Sequence, residues 1–357
     1  MCNKQRNPIH CILPPYLFDK VLKDEKSKLF DEALDNKFRN SRLRSDRKFI
    51  SALPQSQQRK MLLTTTKAAA KPKPVIKVHT CKHGYSLPGA VLTDPSKDKD
   101  AKNVLRGATE TWKFYFDLFK RNSIDNMGMP IIQSVHYGKR YQNAMWNGRQ
   151  MLYGDGDGKV FGSFTNDIDI IAHELAHGVT QFEANLDYEN QSGALNESFS
   201  DVFGIMVKQR ALNQDVKKSN WHIGENVMLG SKYALRSMKA PGTAFLNHPE
   251  WGDDPQPATM DGYVKLANTD ADDNGGVHYN SGIPNFAFYV ACYNRGGFAW
   301  DTIGRVWYAA LTDTVNLRPN AKFADLMKLT ISKAAELFGK GSLEEKAVKQ
   351  GWKEAKV

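Results

Sequence analysis

The run Ile171-Ala172-His173-Glu174-Leu175-Ala176-His177 constrains this chain more than any other stretch. Four residues of separation put His173 and His177 on one helix face, about 5–6 Å apart, so both imidazoles can reach one metal ion. Glu174 is turned off that face by about 100°, which lets its carboxylate lean over the metal without ligating it. From there it can take a proton from water that the metal has acidified. The apolar residues around the run favour a buried helix over a solvated one with incidental histidines.

At 357 residues the chain is long enough for two lobes around a substantial core. No stretch of 18 apolar residues occurs, so no membrane-spanning helix is expected. Met1 to Pro8 carries basic residues without an apolar core behind them, and Ile12 to Phe18 is short and broken by Pro14 and Pro15. The expectation is therefore a chain without a secretory signal peptide, cytoplasmic or released by another route. Net charge is +10, but it is unevenly placed. Residues 1–80 hold 18 Lys+Arg against 7 Asp+Glu, and the remainder is nearly neutral at 31 against 32. A nucleic-acid enzyme would carry its basic residues in the working cleft, so no nucleic-acid partner is expected. Four scattered cysteines, Cys2, Cys11, Cys81 and Cys292, read as free thiols. Cys81-Lys82-His83 offers two metal donors, which alone make a poor site, so these residues are expected at the surface.

Residues 19–50 are rich in charge, with Leu22, Leu29, Phe30, Leu34 and Phe38 at helical spacings, after a rigid turn at Pro14-Pro15-Tyr16-Leu17-Phe18. Residues 54–76 lose that periodicity, and Lys71-Pro72-Lys73-Pro74 suits a protease-sensitive linker. Ala108 to Arg121 reads as an aromatic helix packed under a sheet. Ile131-Ile132 with Val135, Ala144 to Trp146 and Met151 to Tyr153 read as strands, and Gly154-Asp155-Gly156-Asp157-Gly158 as a turn joining two of them. The two aspartates of that turn lack the glutamate of an EF-hand. Asn166 and Asp167 are candidate caps for the histidine helix. A second helix is expected from about Gly193, with others at 283–295, 300–313 and 322–338.

Two histidines do not complete a zinc site. Glu197, 20 residues beyond His177 on the second helix, can return as the third ligand. Asp201, one turn further on, can accept the free ring N–H of a ligand histidine.

His173-Glu174-x-x-His177 followed by Asn196-Glu197-x-x-x-Asp201 resembles the thermolysin family of zinc endopeptidases, as do Asn143-Ala144-Met145-Trp146-Asn147-Gly148 and Asp273 to Gly282. The resemblance covers roughly residues 100–350, and the short N-terminal segment with Pro14-Pro15-Tyr16 resembles protealysin-type precursors. It implies an α+β, two-lobed zincin: an N-terminal lobe with a β-sheet and helices, a mainly α-helical C-terminal lobe, and the active-site cleft between them. The implied division is propeptide 1–53, linker with processing site 54–76, and catalytic lobes 77–188 and 189–357. The substrates would be proteins or peptides, cut by zinc-activated water, with the chain's own propeptide as inhibitor.

By the same resemblance His173, His177 and Glu197 would hold one catalytic zinc, with Glu174 as general base. His278 and Tyr188 would stabilise the oxyanion, with Asp273 orienting His278. Asn143, Ala144 and Arg236 would hold the substrate backbone. Phe161, Ile170 and Leu235 would line an apolar pocket for a large hydrophobic residue after the cut. One departure bears on calcium. Lys208 stands eleven positions after the third ligand, where calcium-binding members carry an acidic residue, and His222 replaces another carboxylate. The expectation is an ion pair from Lys208 to Asp169 or Glu225, with calcium reduced or absent.

Overall fold

The β-branched runs form the sheet and the aromatic run lies on it in a computed structural model, which describes residues 12–22, 30–53, 56–58, 72–230 and 232–357. Strands β1 (Ile76–Thr80), β3 (Ile131–Val135) and β5 (Met151–Tyr153) are parallel, flanked by antiparallel β2 (Ala90–Val91) and β4 (Ala144–Trp146) in the order β2-β1-β3-β5-β4. Beyond Tyr153 no further strand of this sheet forms. Asp157 Oδ1 instead accepts the N–H groups of Lys159, Val160 and Phe161, and Phe161 makes an isolated bridge to Met228. The Gly154–Gly158 stretch therefore does not join two strands, because a carboxylate has taken the donors that a partner strand would use.

Helix α3 (Lys99–Phe119) starts where Asp98 accepts the N–H of Ala101 and stops at Lys120, whose φ of 58° is left-handed. Its Val104, Ala108, Trp112 and Tyr115 recur at helical spacing and are buried. Helix α4 (Ile168–Phe182) carries the paired histidines and is buried from Asp169 to Phe182, so its polar side chains all need partners inside the protein. Asp167 occupies its N-cap position without capping it. The Asp167 carboxylate is engaged by the backbone N–H and the amide of Asn226 at 2.8 and 2.7 Å, and this competing pair defeats the expected cap. Helix α5 (Asn190–Ala211) begins three residues before the expected Gly193.

The C-terminal lobe adds α6 (Asp273–Asn280), α7 (Gly282–Arg295), α8 (Ile303–Thr312), α9 (Phe323–Phe338) and α10 (Leu343–Glu354). Helix α10 was not expected, since charge dominates its sequence. Ala347, Val348, Gly351 and Trp352 nonetheless form a buried stripe. A Cβ at Gly351 would lie 2.2 Å from the carbonyl oxygen of Ala287, so only glycine lets α10 lie this close to α7.

The N-terminal segment departs from its reading in three ways. The chain is helical from Pro15 to Val21 (α1), with proline at the first helical position in place of the expected turn. Helix α2 (Phe30–Ala52) buries Ala33, Asn36, Asn40, Leu43 and Ile50, while the expected core residues Leu34 and Phe38 are exposed. Residues 56–58 form a helical turn with Gln58 buried, not an unpacked linker; 54–55 and 59–71 lie outside the described residues. Cys81 and Cys292 are free and buried, so Cys81 is not a surface thiol, and Cys2 and Cys11 lie outside the described residues. Among the described residues no helix is long and apolar enough to cross a membrane.

Trp352 stacks on Trp307 at 6.1 Å and donates its indole N–H to Thr330 Oγ1 at 2.9 Å. Trp352→Ala is expected to lower stability by about 3–5 kcal/mol in a denaturant titration, because the void it leaves cannot collapse between packed helices.

Candidate active site

Two helices crossing at close range create the site. At Gly204 of α5 a Cβ would sit 2.7 Å from the carbonyl oxygen of Asp169 and 3.4 Å from His173. The missing side chain lets α5 approach α4 until Glu197 and Asp201 reach the histidines. His173 Nε2 lies 2.9 Å from His177 Nε2, and Glu197 places Oε2 3.5 Å from the first and Oε1 3.4 Å from the second. All three residues are buried.

The far side of each ring explains why these nitrogens converge. His173 Nδ1 is 2.8 Å from Asp201 Oδ1, and His177 Nδ1 is 3.0 Å from Asn196 Oδ1 and 2.8 Å from Ser200 Oγ. With each Nδ1 proton donated outward, the two Nε2 lone pairs face each other across the site. That contact needs a cation between them, a proton on one ring or a metal ion held by both. Glu197 Oε2, buried without a hydrogen-bond partner, faces the same space. Donor atoms of tetrahedral zinc, with bonds of about 2.0–2.1 Å, stand about 3.4 Å apart. The residues present fit zinc.

Burial works to raise the Glu197 and Asp201 carboxyls, but the cations around them win. His278 and His177 hold Glu197 well below the usual carboxylate range, and Arg236 with His173 does the same for Asp201. Burial would push His173 down; Asp201 and Glu197 instead hold it at about 9. Asp201 is the hub. It accepts Arg236 Nε and Nη2 at 2.8 and 2.7 Å and the amide of Asn285 at 2.8 Å, besides facing His173.

Glu174 Oε2 accepts the N–H of Trp146 at 2.7 Å, which anchors its carboxylate to the edge strand β4. On the opposite side Tyr188 Oη donates to Glu197 and stands 3.2 Å from His278 Nε2. His278 Nδ1 is 2.6 Å from Asp273 Oδ1, and its backbone N–H donates to Asp273 Oδ2 at 2.8 Å. Burial acts to lower His278, but Asp273 and Glu197 raise it. A left-handed run from Asp273 to Gly276 makes this turn possible, and Gly275 has no room for a Cβ, which would fall 2.3 Å from Asn190 Oδ1.

The backbone-holding candidates also meet. Leu13 N–H donates to Asn143 Oδ1 at 3.0 Å, Ile12 N–H to the carbonyl of Ala144 at 3.3 Å, and Arg236 Nη1 to the carbonyl of Ile12 at 2.9 Å. Ile12 and Leu13 are fully buried. Ile170 and Leu235 adjoin at Gly224, and Phe161 stacks on Trp251 at 4.8 Å. Lys208 Nζ lies 3.0 Å from Asp169 Oδ2 and 2.9 Å from Glu225 Oε1, the two partners expected of it, and 3.0 Å from the carbonyl of His222.

Profiles of two domains match the chain: "Thermolysin metallopeptidase, catalytic domain" over residues 53–181 and "Thermolysin metallopeptidase, alpha-helical domain" over 184–357. The chain belongs to the thermolysin metallopeptidase family. An extracellular metalloprotease of Pectobacterium carotovorum subsp. carotovorum is 44% identical over 281 residues, spanning 77% of this chain and 79% of that one. Protease PrtS of Photorhabdus sp. is 43% identical over 286 residues, 78% and 76% of the two chains. The structure of the precursor of protealysin, a metalloproteinase from Serratia proteamaculans, superposes with a TM-score of 0.83 at 38% identity, covering 97% of this chain and 99% of that one. The thermolysin-family chain described here is thus a zinc-dependent neutral endopeptidase made as a precursor.

Three groups at the site were not assigned from sequence. Asn196 and Ser200 sit on the Glu197 helix at spacings that put them beside His177, a signal that was readable. Asn285 is 84 residues from Asp201 and had none. Asp201→Asn would weaken the acceptor for His173 and strand the Arg236 guanidinium. A chelator competition should then read zinc affinity about 10–100-fold lower.

Proposed function

We propose that this thermolysin-family endopeptidase cuts peptide bonds with the residues gathered around the His173–His177–Glu197 trio and is held inactive by its own N-terminal segment. The observation that carries the reading is the convergence of three oriented donors on one buried point, with Glu174 alongside. His173, His177 and Glu197 would hold zinc, which when bound supplies a Lewis acid for the scissile carbonyl and brings the pKa of water to about 7. Glu174 takes the water proton on its carboxylate and returns it to the leaving amine. The Trp146 N–H keeps that carboxylate from swinging away. Tyr188 and His278 donate to the oxygen on which negative charge develops, each worth about 3–4 kcal/mol in comparable sites. Asp273 holds the His278 ring in place.

Asn143, Ala144 and Arg236 accept and donate the backbone bonds of an extended substrate. Ile12 and Leu13 already make that set of bonds, which supports a propeptide that blocks the cleft as a peptide would. Ile12 stands in the place of the residue after the cut. Its complete burial supports the apolar pocket of Phe161, Ile170 and Leu235 and a preference there for large hydrophobic side chains. Helix α2 fixes the block from the outside: Asn36 Oδ1 accepts the N–H of Gln142 at 2.7 Å, Asn40 accepts the Tyr141 hydroxyl, and Glu32 pairs with Arg140.

We also propose that the Lys208 ammonium replaces calcium between Asp169 and Glu225. Burial opposes its charge, but the two carboxylates raise its pKa far above the lysine norm, so the cation is permanent at any working pH.

Glu174→Gln should cut casein hydrolysis by at least about 100-fold while leaving zinc content unchanged; a variant that still digests casein overturns the mechanism. The uncut chain should be inactive, and Asn36→Ala with Asn40→Ala should raise its activity; equal rates before and after trimming would refute the block. Zinc-loaded protein should show one melting temperature with and without calcium, while Lys208→Met, which leaves buried Asp169 unpaired, should destabilise it by about 3–5 kcal/mol.

A further inference from the structure

A second cluster of metal-binding side chains lies on the amino-terminal lobe, away from the cleft. The parallel strands β1, β3 and β5 end on the same edge of the sheet, and each delivers a donor within three residues of its last position: His83, His136 and Asp155. Backbone bonds lock these ends together, from Cys81 N–H to Val135 O at 2.9 Å, His83 N–H to His136 O at 2.9 Å and Tyr137 N–H to Tyr153 O at 3.0 Å. His136 Nδ1 is 2.8 Å from one oxygen of Asp155, and His83 Nδ1 is 3.1 Å from the other. The ring centroids are 5.4 Å apart. Both histidines hold left-handed backbone, with φ of 60° and 54°, which costs a non-glycine residue free energy and marks sites kept for a purpose.

The decisive contact is on the far side of His136. Its Nε2 is 2.9 Å from Asp98 Oδ2, while the other oxygen of Asp98 caps α3 through the N–H of Ala101. A carboxylate fixed by a helix start thus accepts the outer ring proton and leaves Nδ1 as the ring atom that faces Asp155. This is the arrangement that prepares a histidine to ligate a metal. It repeats at this surface what Asp201 does for His173. Among the described residues Asp155 has two ion-pair partners, and both are histidines.

We propose that His83, His136 and Asp155 form a second, structural site for a divalent transition-metal ion, zinc being the natural probe. Two imidazoles and a carboxylate suit zinc, nickel or copper and not magnesium or calcium. The exposed His83 ring leaves the remaining coordination positions open to water. Once bound, the ion ties the loop after β1 to the turn after β5.

The test is zinc stoichiometry of the full chain, dialysed at pH 8 against micromolar free zinc and read by elemental analysis. Two zinc ions per wild-type chain are expected and one in His83→Ala, whose exposed side chain is dispensable for folding, with hydrolysis by the trimmed enzyme unchanged. In a zinc titration His83→Ala should need at least about 10-fold more free zinc to fill the second equivalent. A wild-type chain that binds a single zinc, or a variant that retains both, overturns the proposal.

Discussion

The buried carboxylate of Asp201 is the point on which the rest depends. It touches His173, Arg236 and Asn285, three groups from three different elements. A lone carboxylate at that depth would cost several kcal/mol, and it persists only because every lone pair has a donor. Because it must stay charged, it forces His173 to present Nε2 to the metal position, and it forces Arg236 to lie flat with one nitrogen left over. That nitrogen holds the carbonyl of Ile12. One charge therefore links the orientation of the His173 ring to the seat of Ile12 in the N-terminal segment.

Helix α2 docks through asparagines as well as through apolar residues such as Ala33 and Leu43. Asn36 and Asn40 lie on the buried face of α2, where a hydrophobic reading expects leucine, and they meet backbone and hydroxyl groups of residues 141–142. A face of this kind is complementary in place and still tolerates water. The apolar residues Leu34 and Phe38, spaced as though for a core, point outward instead. The docked face is the one that carries Asn36, Asn40 and Leu43, so hydrophobic periodicity alone picks the wrong side of α2.

The meeting of His173, His177 and Glu197 and the contact of Asp201 with His173 were legible because helical spacing is rigid: four residues make one face, and a neighbouring carboxylate one turn on makes a second layer. Strand cores and the aromatic helix were legible for the same reason. The Gly154–Gly158 stretch was misread because Asp157 satisfies the backbone locally, a choice that no periodicity encodes. Helix α10 was missed because its apolar stripe is thin and its charges many, yet that stripe meets α7 at a glycine and so needs little width.

Sequence alone determined the chemistry: which side chains can bind a metal and which can move a proton. Those are properties of residue type and of spacing along one helix, and they need no knowledge of distant neighbours. Only tertiary structure decided what crosses between elements. The approach of two helices at Gly204, the seating of Ile12 in the backbone clamp, and the meeting of His83, His136 and Asp155 at the ends of three strands join residues tens to hundreds of positions apart. Such contacts are set by the packing of whole surfaces, and no local period in the chain records them.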